Sequence, residues 1–198
     1  MLDALNSRWK MKEIDSAVSV VPFCTGSSRF SCDGTTVFCV VHGPLDSVHR
    51  NSDPLKAALD VRWKDSVVIN GRIYDKYFSS VMTSILSKYV ILELDGGKTI
   101  QLALNAAGST RNTLFCAVNA ALLALVDSGI PLRTMFYASS SFGYEEEVFV
   151  FDADGKISFG HSFGPIEDSS IKNASSLLGY VKDAQRFALK PKFSLADG

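Results

Sequence analysis

The sequence predicts one α+β domain in which mixed or antiparallel sheets pack against helices. Short β-branched runs and turn signals alternate with segments of helical spacing along the chain. The length of 198 residues fits one domain, or at most two small ones. No domain-sized linker and no internal repeat divides the sequence, so a single domain is the simplest interpretation.

Eight segments have the composition or the alternation of β-strands. The run 37–41 is the strongest, because it follows the turn Asp33-Gly34 and stops at His42-Gly43-Pro44. Two hairpins are predicted, one across Asp95-Gly96-Gly97-Lys98 and one across Asp152-Ala153-Asp154-Gly155. Residues 45–54 predict a mobile loop and residues 104–111 a loop of small residues. The predicted strands are 17–21, 37–41, 57–63, 90–94, 99–104, 132–138, 148–152 and 156–161.

Three segments have helical spacing. They are residues 74–90, residues 112–127 and a last helix that starts near Asp168 and ends before Pro191. The second is almost wholly apolar, which is typical of a helix buried between layers. Gly129 and Pro131 follow it as a C-cap and an exit from the helix.

The composition excludes several classes of protein. Twenty basic and 21 acidic residues give a net charge of −1, so the basic excess of a freestanding nucleic-acid binder is missing. No run of about 18 apolar residues predicts a membrane span, and no signal peptide is expected. The four cysteines form no CxxC pair and have no zinc-site spacing. We therefore expect buried thiols in an intracellular protein that holds no metal and no cofactor.

Three features together give the chain a family resemblance. Residues 26–30, the turn and strand after Asp33, and the closing Gly43-Pro44 form one pattern. Residues 119–131 form a more specific one, Asn-Ala-Ala-Leu-Leu-Ala-Leu-Val-Asp-Ser-Gly-Ile-Pro. With the order of elements around them, the chain resembles the ribonuclease PH family, specifically the eukaryotic exosome ring subunits of that fold. The resemblance implies a ribosomal protein S5 domain 2-like fold over 15–190, after an N-terminal extension 1–14 and before a tail 191–198.

The resemblance implies a phosphate cradle with a Gly-Thr-Arg run at a helix N-terminus, where free N–H groups favour an anion. Two registers are open here. By composition, the matching segment is Gly108-Ser109-Thr110-Arg111. Counting back from Asn119 without a gap instead places Asn112-Thr113-Leu114 at the Gly-Thr-Arg positions. The second register is favoured because a packed helix should keep its length. It replaces the arginine by an uncharged leucine.

The family's acidic pair lies in a hairpin that is shortened in this sequence to residues 139–147. Glu145, Glu146 and Glu147 could mimic it, although an acidic trio is more typical of a solvated surface or an interface rim. Asn119, inside the apolar helix, is expected to be a buried and satisfied amide. Asp33-Gly34 inverts the Gly-Asp order of the family.

We therefore predict a structural, catalytically inactive ring subunit without catalytic residues. The resemblance implies two kinds of protein partner, namely other ribonuclease PH-like subunits in a hexameric ring and cap subunits with S1 and KH domains. It also implies weak RNA binding and no association with a membrane. The implied location is the nucleus, including the nucleolus, and the cytoplasm. One alternative is an active phosphate-dependent 3′→5′ exoribonuclease that uses Thr110, Arg111 and Glu146 or Glu147. A weaker one is an exosome-independent nuclease or binding dimer. The candidate RNA- or phosphate-binding residues are Arg111, Thr110, Ser109, Thr113, Arg62, Lys64 and Arg72.

Overall fold

Two β-sheets and three long helices make up the part of the chain that the computed structural model describes, residues 14–46, 53–65, 72–108, 112–141, 147–162 and 164–193. The larger sheet has the strand order β1-β2-β3-β5-β4, and the smaller one has the order β6-β7-β8. The strands are β1 Ile14–Val18, β2 Gly26–Cys32, β3 Thr35–Asp46, β4 Ala58–Asp65, β5 Lys98–Gly108, β6 Phe136–Ser140, β7 Val148–Asp152 and β8 Ile157–His161. The helices are α1 Arg72–Tyr89, α2 Thr113–Ser128 and α3 Asp168–Phe193.

The larger sheet is mixed, as predicted. Strands β1, β2, β3 and β5 are antiparallel neighbours, whereas β4 runs parallel to β5. The β2–β3 connection is the turn Asp33-Gly34, with φ angles of 52° and 78°. Two consecutive positive φ angles define a type I′ turn, which suits the right-handed twist of a hairpin. The order Asp-Gly places glycine at the second of these positions.

The hairpin predicted between residues 90–94 and 99–104 is wrong. Residues Leu92–Leu94 form a 3-10 turn, and Val90 makes a single bridge to Leu132. Strand β5 instead lies between β3 and β4, where Ile100, Leu102 and Leu104 all face the core. The strand continues to Gly108, so the loop predicted over 104–111 is also wrong up to that residue. Long-range pairing on both sides outweighs the local turn signal here.

Several element boundaries also differ from the prediction. Strand β1 ends at Val18, because Ser19 has a φ of 55°, and β3 extends through Leu45 and Asp46. Residues 47–52 of the loop predicted over 45–54 lie outside the described residues. Strand β6 is shifted to Phe136–Ser140. Helix α3 continues through Pro191, since Lys192 donates to the Asp127 carboxylate at 2.6 Å and holds the last turn in place.

Helix α2 lies in the centre of the molecule and is buried on nearly all sides, as its apolar sequence predicts. It packs against β2 and β3 on one side and β6 on the other. The approach to β2 is so close that a Cβ on Gly26 would lie 2.4 Å from the Ser128 nitrogen and 2.5 Å from the Ala124 carbonyl oxygen. Gly129 ends the helix with a φ of 72°, which confirms the predicted C-cap. Cys32, Cys39 and Cys116 are buried, as expected, and Cys24 is partly exposed.

The outer helices join the two sheets at their edges. Helix α1 covers β4, where Trp63 stacks on Phe78 with ring centroids 4.9 Å apart. At the other end of α1 the Tyr89 hydroxyl donates to Asp152 at 2.6 Å, in the hairpin of β7 and β8 that the sequence predicts. Helix α3 covers β6 and β1. In the described residues no helix is long and apolar enough to cross a membrane.

Candidate functional site

The N-terminal end of α2 is the place where the predicted phosphate cradle falls. Along β2, Gly26 lies near the last turn of α2 and the Ser28 hydroxyl donates to the Ala120 carbonyl oxygen at 2.6 Å. The Cys116 sulfur, nearer the helix start, lies 3.9 Å from the Thr35 carbonyl oxygen. The first turn of α2 therefore lies at the β2–β3 turn. Gly108 reaches the same end of the sheet and passes the turn so closely that a Cβ would lie 2.1 Å from the Gly34 oxygen.

Asn112 is the N-cap of α2 and has an unusual arrangement. Its φ is 60°, and its side chain makes no capping hydrogen bond. The residue is only 5% exposed, yet its Nδ2 meets no acceptor among the described residues. A buried amide donor without an acceptor, at the positive end of a 16-residue helix, is compatible with a bound anion.

Thr113 and Leu114, the first two residues of α2, are both buried. Leu114 is 0% exposed and belongs to the main hydrophobic core. Thr113 is 3% exposed. In the register counted back from Asn119, the residue at the arginine position is thus an apolar side chain closed off from solvent.

Asn119 is a buried and fully bonded amide, as predicted. Its Nδ2 donates to the carbonyl oxygens of Phe115 at 3.0 Å and Ala138 at 3.2 Å. Its Oδ1 accepts the Ala138 N–H at 3.1 Å and the Gln185 Nε2 at 2.7 Å. The side chain therefore joins α2 to β6 and α3, which is a structural role.

Strand β6 ends towards the same end of the molecule, and Ser141 and Glu147 flank the shortened connection that follows it. The chain reverses at Gly129, and β6 then runs from its bond with Asn119 towards the start of α2. Beyond β6, the Ser141 hydroxyl donates to Glu147 Oε2 at 2.6 Å, and the Ser141 N–H donates to the Glu147 carbonyl oxygen at 3.2 Å. Glu147 is 9% exposed, so the prediction of a solvated or rim position is wrong for this residue. Glu145 and Glu146 lie outside the described residues.

The remaining predicted contacts divide into two groups. Ser109, Thr110 and Arg111 lie outside the described residues, and Arg72 is the first residue of α1. Arg62 and Lys64 are exposed on the face of β4 that no helix covers, and Lys64 is paired across the sheet with Asn105, towards the Gly108 end. Arg62 donates to Asp60 Oδ2 at 2.9 and 3.1 Å, which satisfies part of its charge within the sheet.

Sequence reasoning missed Ser141 as a partner of Glu147, because the two residues are not adjacent in the sequence.

The donor set offers little for a metal ion. Within the described residues, no group of three or more His, Cys, Asp or Glu side chains is close enough to hold one. At the start of α2, the described group that is compatible with an anion is instead the buried Asn112 amide.

Comparison with known protein families defines the class of protein. Residues 10–131 match the 3′ exoribonuclease family, domain 1, so the chain belongs to the family of RNase PH domains. The structure is similar to the crystal structure of rice Rrp46, with a TM-score of 0.79 and 20% identity over 91% of this chain and 96% of that one. It is also similar to a chain of an archaeal exosome core, with a TM-score of 0.65 and 14% identity over 91% and 94%. The predicted α+β, ribonuclease PH-like fold is confirmed.

The curated relatives include two proteins named for the exosome complex. One is the Exosome complex exonuclease RRP46 homolog of Oryza sativa subsp. japonica, 29% identical over 76% of this chain and 64% of the relative. The other is the Exosome complex component RRP46 of Saccharomyces cerevisiae, 27% identical over 62% of this chain and 57% of the relative. The matches thus span less than two thirds of the length of these relatives.

Proposed function

We propose that this chain is an RNase PH-like subunit of an exosome ring and that it supports 3′→5′ RNA processing and degradation through its partners. Membership of the 3′ exoribonuclease family and the similarity to RRP46 proteins of rice and yeast support this role. The expected partners are other RNase PH-like subunits of a hexameric ring and cap subunits with S1 and KH domains. The expected location is the nucleus, including the nucleolus, and the cytoplasm.

The proposed role is structural rather than catalytic. The burial of Leu114 carries this part of the proposal, because an apolar side chain inside the core cannot bind the phosphate that phosphorolysis requires. The Glu147 carboxylate accepts a hydrogen bond from the Ser141 hydroxyl at 2.6 Å, and residues 139–147 are a shortened form of the segment that carries the family's acidic pair. Ring assembly would then be the contribution of this subunit, and partner subunits would carry out the chemistry.

RNA contacts of this subunit are proposed to be few. Arg62 and Lys64 are the candidates that the structure shows exposed to solvent, both on one sheet face. Ser109, Thr110, Arg111, Thr113 and Arg72 stay predictions from the sequence. Because Arg62 already has an acidic neighbour and the chain carries a net charge of −1, RNA affinity of the isolated chain should be weak and should fall with added salt.

One observation favours an active phosphorolytic exoribonuclease as a second candidate. The Nδ2 of Asn112 is buried without a described acceptor at the positive end of α2, where phosphate would be stabilised. In that case Thr110 and Arg111 would bind phosphate, and Glu146 or Glu147 would supply the acid.

Two measurements separate these functions. Co-purification from the native organism, followed by native mass spectrometry, should recover five other RNase PH-like chains if the ring proposal holds. A single-species homodimer would contradict it. The purified chain should release no nucleoside diphosphates from a 3′-labelled RNA when inorganic phosphate is added. Phosphate-dependent release that is lost in Arg111→Ala would establish the second candidate.

A further inference from the structure

We propose that an apolar patch at one end of the five-stranded sheet is the surface through which this chain binds a neighbouring RNase PH-like subunit. This inference rests on the ring function proposed above. The patch lies at the end of the sheet opposite the start of α2. We call it the sheet-end patch, and it comprises Val21, Phe23, Leu45, Leu55 and Leu94.

Phe23 is the most unusual residue of the patch. Its side chain is fully exposed, and its φ of 61° is a left-handed conformation that bulky residues rarely adopt. The loop that carries it is nevertheless well fixed. The Val21 N–H donates to the Ser27 hydroxyl at 2.9 Å, and the Thr25 N–H donates to the Val41 carbonyl oxygen at 3.0 Å. Strained backbone of this kind is concentrated at functional sites, and a loop fixed in advance loses little entropy on binding.

The patch is continuous along the sheet end. The Thr25 hydroxyl accepts the Gly43 N–H at 3.1 Å, which places the Phe23 loop beside the end of β3 and therefore beside Leu45. Leu45 pairs with Thr99 at the start of β5, and Thr99 pairs with the start of β4.

Leu94 and Leu55 extend the patch beyond β5. Leu94 lies two residues before Gly96, and Gly96 passes so close to Pro54 that a Cβ would lie 2.2 Å from the Pro54 oxygen. The Ala57 N–H also donates to the Leu92 carbonyl oxygen at 2.8 Å. The two segments that carry Leu94 and Leu55 are therefore in direct contact.

The exposed area fits a protein partner better than a small ligand. Phe23 is 101% exposed, Leu55 76% and Leu94 68%. With about 150–250 Å² for an aromatic side chain and somewhat less for an aliphatic one, the patch exposes roughly 500 Å² of apolar surface. One side of a standard-size interface buries about 800 Å², of which a little over half is apolar. The patch alone supplies that apolar share.

The charges around the patch indicate the complementary surface. Two ion pairs form within the chain near the patch. Lys98 pairs with Asp95 at 3.1 Å, and Arg133 pairs with Glu93 at 2.7 Å. Asp46, Asp53 and Lys56 are the other charged residues that the structure describes on the neighbouring segments, and all three are exposed. Two carboxylates and one ammonium group thus border the patch, so the matching partner presents an apolar pocket with charged groups at its rim.

The test uses the full chain co-expressed with the other RNase PH-like ring subunits of its organism. Phe23→Asn removes the aromatic ring but keeps the left-handed backbone, which asparagine accepts. The variant should therefore unfold at the same or a higher temperature, while its association with the ring weakens by at least about tenfold. The matched control is Tyr74→Asn. It removes another exposed aromatic side chain in the first turn of α1, at the opposite end of the sheet, and should assemble normally.

A photo-crosslinking amino acid at position 23 then identifies the neighbour. A crosslink to an RNase PH-like subunit, absent when the label is at position 74, is the expected result. If the wild-type chain joins the ring and Phe23→Asn joins equally well, the patch proposal is overturned while the ring function stands. If the wild-type chain does not join at all, the proposed function fails and this inference fails with it. Crosslinking to a second copy of this chain, or to a subunit of another fold, would also overturn the proposal.

Discussion

Replacing Asn119 by alanine removes the buried amide that joins α2 to β6 and α3. The change leaves the Ala138 N–H and the Gln185 Nε2 without their acceptor, and both groups are buried. A buried polar group that loses its partner costs about 1–3 kcal/mol, so two such groups predict a loss of about 2–6 kcal/mol. That is a large part of the roughly 5–15 kcal/mol that stabilises a typical domain.

Gln185 supplies the second half of the test. Gln185→Leu alone should cost less, because it breaks one bond to Asn119 and also removes a buried Oε1 that has no partner among the described residues. In the double variant the orphaned Nε2 is gone. The two changes should therefore be less than additive, with a coupling energy of about 1–2 kcal/mol.

Urea unfolding of the four proteins, followed by circular dichroism, measures these free energies. A loss below about 1 kcal/mol in Asn119→Ala would refute the claim that this amide is a structural joint. Strict additivity of the two substitutions would refute the direct bond to Gln185. Equal slopes of the unfolding free energy against urea are required for the comparison to be valid.

Three further predictions concern packing and charge. Burial raises the pKa of Asp127. Lys192 and the hydrogen bonds to the carboxylate lower this pKa by more than burial raises it, so the folded pKa lies below the unfolded value. The stabilisation by this carboxylate is therefore complete above about pH 5 and is lost as the pH falls through the folded pKa. Asp127→Asn should reduce the loss of unfolding free energy at acid pH, measured by unfolding at a series of pH values. An unchanged loss would contradict the ion pair. Gly26→Ala should lower the melting temperature strongly because its Cβ would overlap backbone of α2, whereas Gly179→Ala, in open space on α3, should raise stability by up to about 1 kcal/mol; equal effects in thermal unfolding would argue against the close approach. Leu114→Arg should destabilise the fold by more than about 3 kcal/mol without producing phosphate-dependent RNA cleavage, and a stable, phosphorolytic variant would show that Leu114 stands in an otherwise complete site.

Local signals in the sequence were sufficient for much of the fold. The apolar helix α2 and its Gly129 cap, the hairpin of β7 and β8, and the turn Asp33-Gly34 all depend on periodicity or on residues with special backbone freedom. The pairing of β5 was beyond such signals. Asp95-Gly96-Gly97 has the composition of a hairpin turn, yet β5 pairs with strands more than 30 residues away in sequence.

Some features of the candidate site could be predicted from the sequence, and others required the tertiary structure. The sequence alone placed a phosphate-type motif at the start of α2, identified Asn119 as a buried amide and supported the family, because these depend on residue type and spacing. Only the tertiary structure decided that Leu114 is closed inside the core, that Glu147 is bonded to Ser141, and that Phe23 shares one sheet end with Leu45, Leu55 and Leu94. Burial and proximity result from how strands and helices far apart in the chain pack together, and residue spacing does not contain that information.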